Sequence, residues 1–125
     1  LQKKKKAYVH AQKPVSIPVP GNKTIDEYIG LMNSQTDSIS VARMEAPPKW
    51  GEPEQTPEFD EVTIMLEGKM VVEMDGKSIT IKAGETFLAK AENSVRYSNP
   101  FDEKAVYWAV CTPAFSPERV NRNEE

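Results

Sequence analysis

An all-β domain, built as an antiparallel sandwich or barrel, is what this sequence predicts, and three observations carry that reading. Short runs rich in Val, Ile, Thr and aromatic residues recur between Ser38 and Cys111. Turn residues separate them at the spacing of roughly 8–12 residues typical of such folds. Asp75-Gly76 stands between two of the runs, a two-residue hairpin signal because both turn positions must tolerate positive φ. The 125 residues, 38% hydrophobic, can bury one modest core but not two, so a single domain is expected.

The elements follow in order. Residues 1–14 carry the basic run Lys3 to Lys6 and read as a solvated, disordered tail. From Val15 to Pro20, Val15, Ile17 and Val19 alternate with Ser or Pro, which suits an edge strand because proline cannot donate to an interior ladder. Thr24 and Glu27 have capping-box spacing, and Ile25, Tyr28, Ile29 and Met32 fall on one helical face, so a short helix is expected from Thr24, ending between Gly30 and Asn33. Ser38 to Met44 is a strand, stopped by Ala46-Pro47-Pro48. Val62–Leu66, Met70–Met74, Ser78–Ile81, Thr86–Ala89, Val95–Ser98 and Ala105–Cys111 are further strands. Pro113 to Glu125 forms an arm that packs at first, with a polar tail over 118–125.

Composition excludes several classes. Sixteen Lys and Arg against 19 Asp and Glu give a net charge of -3, which provides no field to gather phosphates, so nucleic acid is not an expected partner. Apolar runs are far shorter than the ~20 residues that span a bilayer, so no membrane partner is expected either. Cys111 is the only cysteine, which rules out an internal disulfide or a CxxC pair and fits a reducing cytoplasm. Lying in an apolar run, it reads as an inert buried thiol.

Glu61 is followed by six residues and Gly68, then by Gly84 after fifteen more, then by Asn99 fifteen positions on. This frame resembles the two sequence motifs of cupins over about residues 15–117. The resemblance implies a cupin-type antiparallel jelly-roll barrel, here with a short N-terminal helix. It also resembles histidine-poor cupins such as the ethanolamine-utilisation type. In that family the first motif carries two histidines ahead of the glutamate, and the second carries proline, glycine and a third histidine. Those positions fall here on Glu54 and Thr56, or on Gln55 and Pro57 under the shorter spacing, and then on Lys90, Glu92 and Val95. The one histidine, His10, lies outside both motifs. The resemblance therefore implies a barrel whose usual metal triad is gone, and no metal or other cofactor is expected. An oxygen cage of Glu52, Glu54 and Glu61 is the alternative.

Within that frame Glu61 points into the barrel, and period two then turns Thr63 and Met65 inward and Val62, Ile64 and Leu66 outward. Inward Val95 carries Tyr97 with it and sends Arg96 out. The expected ligand-binding set is Glu54, Gln55, Glu61, Met65, Val95, Tyr97 and Trp108, with Trp50 and Phe59 as further candidates for the mouth. Buried Glu61, its pKa raised by desolvation, and Tyr97 are the candidate catalytic pair. Three functions stay open: a binding module for a small organic ligand; a metal-independent isomerase, cyclase or lyase using Glu61 or Glu54 with Tyr97; and a structural or regulatory homodimer. A homodimer is expected in any case from the amino-terminal edge segment and the strand faces carrying Val62, Ile64, Leu66 and Val71.

Overall fold

A computed structural model describes residues 7–121, and the lysine run at 3–6 lies outside them. Among the described residues the order is β1 (Val15–Ser16), β2 (Thr24–Ile29), α1 (Leu31–Ser34), β3 (Ser40–Ala46), β4 (Trp50–Gly51), β5 (Asp60–Glu67), β6 (Lys69–Met74), β7 (Lys77–Lys82), β8 (Thr86–Ala89), β9 (Val95–Asn99), β10 (Ala105–Thr112) and α2 (Pro117–Val120). All ladders are antiparallel. A six-stranded sheet runs β1-β2-β3-β10-β5-β8 and faces a four-stranded sheet, β4-β9-β6-β7. This is the all-β jelly roll that the sequence predicts.

The turns do what their residues require. Asp75 and Gly76 have φ of 55° and 71° and close the β6–β7 hairpin at the pair Met74–Lys77. Gly68 alone separates β5 from β6, which lie in different sheets, so the chain changes sheets at one residue. It has φ of 73°, and a Cβ there would stand 2.4 Å from the Lys104 carbonyl oxygen, so only glycine fits without displacing backbone. Asn99 is fully buried, and its amide donates to the carbonyls of Ala46, Pro47 and Glu103 while its oxygen accepts from Phe101 N–H. It therefore ties the end of β3 to the β9–β10 turn.

One expectation is overturned. Thr24–Ile29 is a strand, not a helix: Ile25 and Glu27 are buried between less buried neighbours, and β2 pairs with β1 on one side and β3 on the other. Period two has prevailed over the helical spacing because β3 offers a ladder and a core face that outweigh local propensity. The only helix in this region is the single turn α1. Glu27, read as the far half of a capping box, does serve as a cap, but for α1: its carboxylate accepts Met32 and Asn33 N–H, each at 2.9 Å.

The core lies between the sheets. It gathers Met44, Met65, Met70, Val72, Val95 and Tyr107, with Ile17 and Val19 from the amino-terminal edge packed against it. Beyond Pro117, the segment expected as a tail first forms α2, which buries Val120 against Phe59 and Cys111. No helix among the described residues is long and apolar enough to cross a membrane.

Candidate functional site

Alternation along the strands builds a polar chamber inside the barrel. On β5, Thr63 and Met65 are buried and point inward with Glu61, while Leu66 is exposed. On β9, Val95 and Tyr97 point inward and Arg96 outward, where it pairs with Glu73 at 2.9 Å. On β10, Tyr107, Ala109 and Cys111 face the interior, and Cys111 stands directly opposite Glu61 in the ladder. Gln55 forms an isolated antiparallel backbone bridge with Val95, so two positions that carry imidazoles in the family motifs are ladder neighbours here, as an amide and an isopropyl side chain.

The chamber is small, about 30 Å³, room for about two waters. Its polar lining is Lys23, Glu52, Gln55, Glu61, Tyr97 and Tyr107, and its apolar lining includes Ile25, Met44, Phe59, Cys111, Phe115 and Val120. A vestibule of about 260 Å³ lies next to it, walled by Val19, Pro20, Gly21, Trp50, Gly51 and Pro53. The two spaces share Lys23, Ile25 and Glu52. Lys23 Nζ sits 4.3 Å from the Trp50 ring centroid and 5.6 Å from that of Tyr107.

Burial sets the electrostatics. Desolvation pushes the Glu61 carboxyl up to about 7, with Lys23 opposing the shift and the charge of Glu52 adding to it. Desolvation by itself would lower Lys23, but Tyr107, Glu52 and Glu61 together outweigh it and hold the group above its ordinary value, so it is an ammonium at neutral pH. Burial, reinforced by Glu61 and Glu52, lifts the Tyr97 phenol well above its usual range. Burial and then Glu61 push the Cys111 thiol far up, so it is not a nucleophile. Gln55 Oε1, Thr63 Oγ1 and Tyr97 Oη are buried without a hydrogen-bond partner among the described residues.

The residues do not fit the metal that the fold implies. Gln55 and Pro57 are buried whereas Glu54 is exposed, so the shorter motif spacing is the one that faces the core. Neither side chain replaces an imidazole, and Val95 offers no donor. A cation, Lys23, already stands among the polar residues. Among the described residues no three His, Cys, Asp or Glu side chains converge on one point. Glu92 keeps the turn conformation of the glycine it replaces, with φ of 68°, so the frame survives where the ligands do not.

The expected binding residues separate into three groups. Gln55, Glu61 and Tyr97 line the chamber together. Met65 and Val95 face inward but belong to the packed core around it. Glu54 and Trp108 are corrections. Glu54 lies on the outer side of the mouth, in a groove with Lys49, Glu73 and Arg96. Trp108 is on the outer face of the six-stranded sheet, 5.3 Å from the Tyr28 ring, because alternation places it opposite Tyr107 and Ala109. Trp50 walls the vestibule and Phe59 the chamber. Sequence reasoning missed Lys23 and Tyr107. Period two counted back from Cys111 would have found Tyr107, but every residue from Ala105 to Cys111 is apolar or aromatic, which hides the alternation. Lys23 was masked by the helical reading of the residues that follow it.

Comparison with known proteins agrees with this architecture. The family model described as Cupin domain matches residues 42–111. A protein of Myxococcus xanthus named Endoribonuclease YbeY is 46% identical over 110 residues, 88% of this chain but 37% of that protein, so the chain spans little more than a third of the relative's length. Among solved structures, the polyketide cyclase RemF from Streptomyces resistomycificus superposes with a TM-score of 0.73 at 16% identity, covering 97% of this chain and 87% of the other. The EutQ protein of Clostridium difficile gives 0.64 at 18% identity, covering 82% and 73%. At those identities the two structures establish a shared fold only.

Proposed function

The chain belongs to the cupin domain family, and from that premise we propose that it binds a small organic molecule in the barrel without a metal, the polar end in the chamber and the body in the vestibule. The observation that carries this reading is the pair of buried, unpartnered atoms on the chamber wall, Gln55 Oε1 and Tyr97 Oη. Leaving such a group unsatisfied costs about 1–3 kcal/mol, which a ligand supplying the missing partners would remove. An apolar vestibule ending in a few convergent polar groups is also the usual make-up of a small-molecule site. A thermal-shift panel of small amides, ketones, sugars, nucleosides, amino acids and carboxylates tests it. At least one compound should raise the melting temperature of the wild type and lose that effect in Gln55→Leu or Tyr97→Phe. A panel that moves nothing rejects the reading.

A second reading is supported by the position of Glu61 beside Tyr97 in one chamber, its carboxyl at about 7. A base near neutrality and a phenol that keeps its proton are the two halves of a proton transfer, as a metal-independent isomerase, cyclase or lyase needs. Glu54 drops out of that pair because it is outside. Loss of turnover in both Glu61→Gln and Tyr97→Phe, with binding retained, would select the enzyme over the binding module. We place the nuclease chemistry named in the Myxococcus relative outside this domain: His10 is exposed and does not line the chamber, and the net charge gives no pull on RNA. A single buried thiol suits a reducing compartment, and we assign the domain to the cytoplasm.

A further inference from the structure

We infer that the chamber selects an uncharged carbonyl compound bearing an N–H or O–H beside the carbonyl, and that it rejects carboxylates and phosphates although a lysine stands in it. The inference rests on the ligand-binding reading of this pocket and adds the class of ligand. A lone lysine in a pocket ordinarily suggests an anion. Here the count of charges says otherwise: one ammonium, Lys23, faces two carboxyl groups, Glu52 and Glu61, and the remaining polar lining, Gln55, Tyr97 and Tyr107, is neutral at physiological pH. Lys23 is thus already matched by Glu52, and any ionisation of Glu61 leaves the chamber negative. A further anion would enter a poorly hydrated space with no free counter-charge, where like charges at contact distance cost several times what they do in water.

The directional groups call for both an acceptor and a donor. The Tyr97 hydroxyl has no partner and donates, and Lys23 has three N–H donors, of which Tyr107 takes one. Both suit a carbonyl oxygen. Gln55 Oε1 is a buried acceptor without a donor, which an N–H or O–H next to that carbonyl would supply. The chamber admits only a head of two or three heavy atoms, whereas the vestibule, walled by Trp50, Pro20, Pro53 and Val19, suits an apolar or aromatic body.

Two isosteric probes decide it. Phenylacetamide and phenylacetate differ by an amino group for an oxygen and by one charge. Calorimetry at pH 6, where the acid is ionised, should show the amide binding at least about tenfold more tightly. Glu52→Gln should narrow that gap by strengthening phenylacetate, a change no merely structural role of Glu52 predicts. Circular dichroism checks folding, and Glu61→Gln makes the same comparison at pH 8, where wild-type Glu61 is ionised, if the first variant fails to fold. Equal or tighter binding of phenylacetate by the wild type overturns the inference. So does a panel yielding only anionic binders, with the pocket reading left standing. If neither probe nor any panel compound binds, both fall.

Discussion

The Glu27 carboxylate and the Met32 amide meet at 2.9 Å, and the same oxygen takes the N–H of Asn33. A side chain from an interior strand thus ends in the first turn of α1, and Glu27 is only 1% exposed. Glu27→Ala removes the acceptor and leaves two amide protons and a void behind. Destabilisation of about 2–4 kcal/mol is expected in urea denaturation. Glu27→Gln keeps one acceptor and should lose less.

Stability should fall as pH rises from 4.5 to about 7. In that window the folded protein holds the Glu61 proton while the unfolded chain, with its carboxyl near 4.5, has released it, so the folded state binds more protons. Above about 7 both states are ionised and the cost levels off, on the order of 3 kcal/mol. Glu61→Gln should accordingly raise the melting temperature at pH 8 and change little at pH 4. A wild type more stable at pH 8 than at pH 5, with Glu61→Gln giving no gain at pH 8, would contradict the placement of Glu61.

Metal content gives a third test. Purified protein should hold well under one equivalent of iron, nickel, copper, manganese or zinc by elemental mass spectrometry. Chelator should leave its melting temperature unchanged, since a bound metal would add its binding free energy to stability. A stoichiometric metal lost in Glu61→Ala would show that oxygen ligands around Glu61 had been underrated.

Self-association is expected through the outer face of the six-stranded sheet. Val62 and Ile64 are partly buried there beside Trp108, and Leu88 is 50% exposed. Val71, grouped with them on sequence grounds, lies on the other sheet, in the groove with Glu73 and Arg96, and cannot share that patch. Sedimentation at micromolar concentration should give twice the 14.0 kDa of one chain, and Trp108→Asp should return it to one. A wild-type protein sedimenting as 14.0 kDa throughout refutes it.

The strands from Val62 onward were legible because turn residues bracket them and the turn chemistry is strict: Asp75-Gly76 admits one kind of connection. The inward set on β5 followed from one anchor, Glu61, and a period of two. At the front of the chain the edge strand at Val15 was legible but β2 was not. Ile25, Tyr28, Ile29 and Met32 match a helix in spacing, and only the ladder offered by β3, remote in sequence, makes Thr24–Ile29 a strand. The site was legible where a family motif reached it, at Gln55 and Glu61, and where strand phase could be carried over, at Tyr97. Lys23 was beyond both aids, because a lysine in a loop carries no periodic mark and its meaning comes from Trp50 and Tyr107 across the barrel.

The single cation of the chamber precedes the stretch that the family shares: Lys23 lies ahead of residues 42–111, whereas Glu52, Gln55, Glu61, Tyr97 and Tyr107 all fall within it. Scaffold and selectivity are therefore separable along the chain. The barrel supplies a fixed socket of acids, phenols and one amide, and the amino-terminal loop that leads into β2 supplies the piece that sets its polarity. Exchanging that loop alone, for one with a neutral or acidic residue at position 23, would retune the socket without touching the frame.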